Sequence, residues 1–265
     1  MTRIVCRQIA PRVGDLAANH ERMLRTIAEA TAAGADILVL PELASSGYVF
    51  ASRTEVDTCA IPSRDPLIAA WSAAIQGPSV VVCGYAERGD DGAVYNSAVV
   101  LDSGGVLADY RKAHLWDREK LFFTPGTGRP PVVETRFGRI GVLICYDLEF
   151  PEYTRRIALD GADLIAVPTN WPHVRVPEGE RPPEVVIAQA AARVNRVTIA
   201  CCDRTGTERG QRWTEGTAIV DHNGWIVSAA GGSHVASAET DLIEGRDKAI
   251  TPRNHLFADR RTDLY

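Results

Sequence analysis

Apolar and polar positions change period several times along the chain, and each change marks an element. Residues 4–9 read as a strand. From Leu16 the pattern shifts: Leu16, His20, Met23, Leu24, Ile27 and Ala30 fall at helical spacing, with Asp15 placed to cap the start and Gly34 to end it. Ile37-Leu38-Val39-Leu40 is then a continuous apolar run, as expected of a strand covered on both faces. A second helix is predicted over 67–76 and another buried strand over 80–85. Strands at 95–101 and 106–110 flank Asp102-Ser103-Gly104-Gly105, and strands at 132–135 and 140–145 flank Phe137-Gly138; both are hairpin signals. Pro151 suits the first turn of a helix running to about Leu159. A strand at 164–168, an Ala-rich helix at 184–194 and a strand at 198–202 follow. Strands at 217–221 and 225–229 pair around His222-Asn223-Gly224.

Buried strands thus alternate with helices, but hairpins interrupt the alternation. That excludes a purely parallel doubly wound sheet. The pattern fits an α/β protein built as an α-β-β-α sandwich, two mixed sheets face to face with helices on the outsides. No internal repeat, low-complexity tract or dividing linker is visible, so one domain over 1–265 is expected. From about residue 250 the chain turns polar and irregular, and this tail is expected to be extended and to join subunit contacts.

Composition narrows the function. The chain has 265 residues, 45% of them hydrophobic, which is enough for a sizeable core. A net charge of −5 argues against a binder of phosphate backbones, so no nucleic-acid partner is expected. No apolar run approaches the roughly 20 residues that cross a bilayer, so no membrane partner is expected either, and the location expected by default is cytoplasmic. The six cysteines are too sparse for a disulfide scaffold, and Cys6, Cys83, Cys201 and Cys202 read as small buried thiols. His114, His173, His222, His234 and His255 are scattered without ligand spacing, which argues against zinc. No glycine-rich phosphate loop follows a strand.

Three strand ends carry reactive groups. Glu42 follows Leu38-Val39-Leu40-Pro41; burying a carboxylate there is costly unless it is paired, although alone it also reads as a cap or a surface partner. Lys112 follows a hairpin strand, where most lysines are simply solvated. Cys145 ends Gly141-Val142-Leu143-Ile144, and a helix starts a few residues later. That strand–turn–helix context resembles a nucleophile elbow, where a nearby cation and helix N-terminus would lower the thiol pKa from about 8.5. Together the three are chemically coherent. A thiolate attacks a carbonyl carbon, Lys112 and the Tyr146 backbone N–H stabilise the oxyanion, and a carboxylate raised by burial moves the proton.

Four segments sharpen this. Pro41-Glu42, Arg111-Lys112-x-His114-Leu115, Glu119-x-x-x-Phe123-x-Pro125-Gly126 and Gly141-x-x-Ile144-Cys145-Tyr146-Asp147-x-x-Phe150-Pro151-Glu152 resemble signatures of the nitrilase (carbon–nitrogen hydrolase) superfamily, in that family's order. The resemblance runs from the first strand to at least Ala229. It implies the α-β-β-α fold, no metal and no organic cofactor. It also implies roles: Glu42 as general base and then acid, Lys112 stabilising the tetrahedral intermediate, Cys145 forming an acyl-enzyme, and Glu119 positioning the substrate. Assembly as a homodimer or larger is implied too, through helices at about 152–159 and 184–194.

Cys145-Tyr146-Asp147 resembles the amidase-type branches, whereas true nitrilases more often carry Cys-Trp-Glu. The implied reaction is hydrolysis of small aliphatic or amino-acid-derived amides to acid and ammonia. Hydrolysis of N-carbamoyl amines or amino acids, of ω-amides or of nitriles stays open, as do acyl transfer to an amine and a catalytically silent interaction subunit. Tyr48, Tyr146, Asn170 and Trp171 are the expected substrate-binding residues. The Pro- and charge-rich segment at 173–183 is either a specificity loop or a surface excursion, and Arg175 or Arg181 could meet a distal charge on a substrate. Two departures from the family pattern put the substrate class in doubt: no acidic residue precedes Asn195, and Asp203 stands where many relatives carry Asn.

Overall fold

The computed structural model describes residues 1–264. In chain order, β1 (Thr2–Arg7) leads to α1 (Leu16–Ala32), and β2 (Ile37–Val39) to two short helices, α2 (Arg53–Cys59) and α3 (Pro66–Ala73). A meander of β3 (Val80–Arg88), β4 (Val94–Asp102) and β5 (Gly105–Arg111) follows, then the hairpin of β6 (Val132–Thr135) and β7 (Gly138–Val142). Next come α4 (Pro151–Leu159), β8 (Leu164–Pro168), α5 (Pro183–Asn195) and β9 (Thr198–Cys202). A small hairpin of β10 (Thr207–Glu208) and β11 (Gln211–Arg212) precedes β12 (Ala218–Val220), β13 (Ile226–Ala229) and β14 (Val235–Thr240). The hairpin of β15 (Ala249–Thr251) and β16 (Asn254–His255) lies near the C-terminus.

The long strands form two six-stranded mixed sheets, ordered β14-β1-β2-β3-β4-β5 and β13-β12-β9-β8-β7-β6. Each has three parallel strands at its centre, β1-β2-β3 in one and β7-β8-β9 in the other, flanked by antiparallel strands. The continuous apolar runs are two-faced. Ile37 and Val39 of β2, Val80 and Val82 of β3, and Ala98 and Val100 of β4 pack in one cluster with Ile165, Val167, Ile199 and Cys201 of the other sheet. Their neighbours Leu38, Val81 and Val99 point the other way, onto Met23 and Ile27 of α1 and Ile68 and Trp71 of α3. Period-2 alternation therefore survives inside runs that have no polar face.

Most element boundaries follow the sequence pattern. Asp15 caps α1 by accepting from the Ala18 N–H (3.2 Å), and Gly34 beyond its end takes a left-handed φ of 85°. Three features differ. The strand predicted to reach Cys145 ends at Val142, because residues 145–149 wind into a 3₁₀ turn. Two elements gave no periodic signal. Helix α2 is only seven residues long, and β14, Val-Ala-Ser-Ala-Glu-Thr, owes its strand to pairing with β1. In the tail, β15 and β16 pair with each other, and the Phe257 ring lies 5.2 Å from the Arg155 guanidinium and 5.1 Å from the Lys248 ammonium.

Candidate active site

Glu42 follows β2 and Asn170 follows β8, the middle parallel strands of the two sheets; Cys145 follows β7. The carboxyl ends of parallel strands are where open α/β sheets gather their polar groups. The two sheets are stitched there, since Asn170 Nδ2 donates to the Glu42 carbonyl at 2.8 Å. Gly84 on β3 makes the approach possible. A Cβ at that position would lie 2.5 Å from the Leu43 nitrogen and 2.6 Å from the Glu42 Cα.

Four charged or reactive side chains meet at this point. Lys112, just beyond β5, is completely buried and donates to Glu42 Oε1 at 2.6 Å and to Glu119 Oε1 at 2.8 Å. Two of its three N–H bonds are thereby used. Glu42 Oε1 also accepts from Asn96 Nδ2 at 2.7 Å, while its Oε2 is buried with no hydrogen-bond partner. Glu119 is held on three sides, by Lys112, by the Tyr48 hydroxyl at 2.6 Å and by the Trp116 backbone N–H at 3.0 Å.

Burial pushes the Glu42 carboxyl up to about 7, against the pull of Lys112 and Asn96, and the charge of Glu119 adds to the rise. Burial works against the charge of Lys112, but the two carboxylates outweigh it and its ammonium is held above the usual lysine range. Burial and the same carboxylates hold the Tyr48 phenol well above its usual pKa, so it is a neutral donor to Glu119.

Cys145 reverses an expectation. Its thiol is pushed well above the usual range, first by burial and then by the Glu42 charge; Lys112 and the Asn170 backbone amide pull the other way and lose. The resting group is a thiol, and a base has to take its proton. The elbow geometry itself is present, since Cys145 sits in the left-handed region at φ 48°, costing a non-glycine residue on the order of 1–2 kcal/mol. Asp147 holds that turn. One of its oxygens accepts from the Ile144 N–H (3.2 Å) and the Tyr110 hydroxyl (2.8 Å), the other from the His114 N–H (2.9 Å) and ring nitrogen (2.7 Å).

A cavity of about 110 Å³ opens against Tyr48 and Glu119, with Trp116, Phe122 and Trp213 among its walls. Of the expected substrate-binding residues only Tyr48 lines it. The Tyr146 ring packs edge-on between Trp116 (4.9 Å), which lines the cavity, and Phe150 (5.1 Å). Asn170 serves the Glu42 loop, and the Trp171 ring belongs to the buried core. Arg175 and Arg181 are not among the lining residues. Asp203 is a clasp between loops: its carboxylate accepts from the backbone N–H groups of Trp171, Arg204 and Gly216 at 2.9–3.0 Å.

Sequence reading missed Asn96, Trp116 and Trp213. Asn96 had a signal, because it shares the inward phase of the apolar Ala98 and Val100. Trp213 follows a short hairpin without periodicity and had none. Among the described residues no group of three or more His, Cys, Asp or Glu side chains could hold a metal ion, and no helix is long and apolar enough to cross a membrane.

A model of the family described as carbon-nitrogen hydrolase matches residues 3–246. The chain belongs to that family. This carbon–nitrogen hydrolase is 36% identical over 269 residues to a nitrilase of Pyrococcus abyssi, covering 100% of this chain and 99% of the relative. It is 35% identical over 263 residues to an (R)-stereoselective amidase of Pseudomonas sp., covering 97% and 90%. Its fold matches the crystal structure of an amidase from Nesterenkonia sp. with a TM-score of 0.79 at 28% identity, over 99% of this chain and 94% of the other. In a structure of a mutant of the amidase from Nesterenkonia sp. AN1, 27% identical to this chain with a TM-score of 0.79, the acetamide moiety of fluoroacetamide is covalently added at the active-site cysteine.

Proposed function

We propose that this carbon–nitrogen hydrolase is an amidase that converts small aliphatic or amino-acid-derived amides to carboxylic acid and ammonia through a thioester on Cys145. The observation that carries the reading is the buried Glu42–Lys112–Glu119 cluster with one free carboxylate oxygen, acting electrostatically on a thiol at a left-handed turn.

The steps follow from that arrangement. Cys145 Sγ attacks the amide carbon while its proton passes to Glu42. The oxyanion is met by the unused N–H of Lys112 and the backbone N–H of Tyr146. Glu42, now a carboxylic acid of pKa about 7 instead of about 4.5, returns the proton to the leaving nitrogen as the carbon–nitrogen bond breaks. Water then attacks the thioester with Glu42 again as base; the carbon–sulfur bond breaks, Glu42 returns the proton to Cys145 Sγ, and the carboxylic acid leaves. Tyr48 and Trp116 hold Glu119, which holds Lys112, so Glu119 positions the site.

Relatives carry both nitrilase and amidase names, and one observation favours amides. Glu42 Oε2 and Asn170 Oδ1 are both buried acceptors without partners, on two residues joined by the Asn170 hydrogen bond to the Glu42 carbonyl. A primary amide brings two N–H groups to such acceptors; a nitrile brings none. A silent interaction subunit would have no use for a buried lysine between two carboxylates, which is expensive to maintain. The active form we propose is a homodimer joined through α4 and α5, which leave Leu159 and Val194 38% and 46% exposed. Ammonia release from a panel of amides and nitriles tests the reading. Amides are expected to turn over and folded Cys145→Ala to be inert; turnover of nitriles alone would defeat it.

A further inference from the structure

Glu208 takes no part in the steps above, yet it is a buried carboxylate with four donors on it. It ends β10, where Arg209 and Gly210 both take left-handed φ values (49° and 85°) and turn the chain into β11. Its Oε1 accepts from the Val13 backbone N–H at 3.0 Å. Its Oε2 accepts from the backbone N–H groups of Tyr48 and Val49 and from Arg204 Nη1, each at 2.9 Å. Arg209 adds a bond of its own, donating to the Val49 carbonyl at 3.0 Å. Tyr48 and Val49 lie in neither helix nor strand, so their N–H groups have no ladder partner and depend on this carboxylate.

The tie continues through rings. Arg204 is itself buried; it donates to the Pro11 carbonyl at 2.7 Å, and its guanidinium lies 4.6 Å from the centre of the Trp213 ring. Trp213 meets the Tyr48 ring edge-on, with the centroids 5.5 Å apart. The Arg204–Glu208 pair therefore braces Tyr48 by its backbone and by its ring. From Tyr48 the tie enters the site. The phenol donates to Glu119 Oε1 at 2.6 Å, the same oxygen that receives Lys112 Nζ at 2.8 Å, and Lys112 donates onward to Glu42 at 2.6 Å.

A buried ion pair is weak evidence for stability, because the desolvation of two charges offsets their attraction. What this pair supplies is a set of charge-assisted hydrogen bonds, the stronger kind, to one irregular segment. We infer that Glu208, braced by Arg204, is a positioning residue of the hydrolysis: it sets the place of the Tyr48 hydroxyl and, through it, of the Glu119–Lys112–Glu42 line. It acts through Tyr48 and not on the reacting atoms. The inference rests on the Cys145 mechanism proposed above, but not on which carbon–nitrogen bond is cut.

A double-mutant cycle with Tyr48→Phe tests it. The readout is kcat, measured as ammonia release on whichever amide or nitrile the wild-type protein turns over. Glu208→Gln keeps one acceptor oxygen and loses the charge; it is expected to lower kcat by about tenfold. Glu208→Leu keeps no acceptor and should lower kcat by about 100-fold, the loss that follows displacement of a catalytic group by about an ångström. In the Tyr48→Phe background the hydroxyl link is already gone, and Glu208→Gln is expected to cost less than about twofold. A Glu208→Gln loss that persists in full in that background, or a folded Glu208→Gln protein with the wild-type kcat, would overturn the inference and leave the Cys145 mechanism standing. Glu208→Leu strands Arg204 in the interior and can fail to fold; the Glu208→Gln cycle then decides alone. Turnover of nitriles alone would defeat the amidase reading without touching the cycle. No turnover of any amide or nitrile by the wild-type protein would overturn both.

Discussion

The two oxygens of Glu42 have different fates, and the pH behaviour of the enzyme follows from them. Oε1 is fixed by Lys112 and Asn96, whereas Oε2 is free to exchange a proton. Only the ionised carboxylate can take the thiol proton, so kcat/KM is expected to rise with pH through an apparent pKa near 7. Asn96→Ala removes a hydrogen bond that favours the charged form. It should move that limb upward by roughly one pH unit, since a hydrogen bond to a charged group is worth about 1.5 kcal/mol and one unit about 1.4 kcal/mol. A pH–rate profile of both proteins checks this, and a limb left in place would remove Asn96 from the tuning of Glu42. Glu42, Lys112, Glu119 and Cys145 were legible in the sequence because each stands in a family signature, two of them, Glu42 and Cys145, after apolar runs. The protonation of Cys145 was not legible. The sign of its shift depends on how deeply the sulfur is buried against Glu42, and that depth is a tertiary quantity.

Short elements do the positioning. The 3₁₀ turn at 145–149 is fastened by Asp147 to Tyr110 and His114 on the other sheet's side of the site, and the Glu42 loop packs on Gly84. Backbone atoms, not flexible side-chain ends, would meet a methyl group at Gly84. Gly84→Ala is therefore expected to cost roughly 1–3 kcal/mol of stability by overpacking. It should lower kcat by about 100-fold, the usual penalty for displacing a catalytic group by an ångström. Urea denaturation and kcat measured together check this; a stable variant with unchanged kcat would show that the loop approach is not needed. Long elements were legible because their apolar period repeats, and α4, β8 and β9 fall where the pattern puts them. Helix α2, β14 and the β10–β11 hairpin are too short or too weakly patterned to repeat anything, and pairing partners far along the chain decide them.

Across the whole molecule, two sheets with parallel centres bring their carboxyl ends to one place, and helices cover the outer faces. The sandwich was legible from buried runs interrupted by hairpins. The pairing of β14 with β1, which closes one sheet with a late strand, was not, because register between distant segments leaves no local mark. Helices α4 and α5 lie directly behind the Cys145 turn, and Leu148 and Glu149 of that turn line the same groove as Leu159 and Val194. If two copies meet there, the interface also braces the nucleophile. The double variant Leu159→Glu, Val194→Glu is expected to shift the protein from dimer to monomer in size-exclusion chromatography with light scattering, and to lower kcat. A wild-type protein that is already monomeric would contradict the proposed assembly.

The thioester on Cys145 is the step on which the rest depends. Intact-protein mass spectrometry during turnover of a slow amide, followed by peptide mapping, observes it directly. The expected result is a mass increase equal to the acyl group, located on Cys145 and absent from Cys145→Ala. Amide hydrolysis with no covalent species, or with an adduct on another residue, would contradict the mechanism.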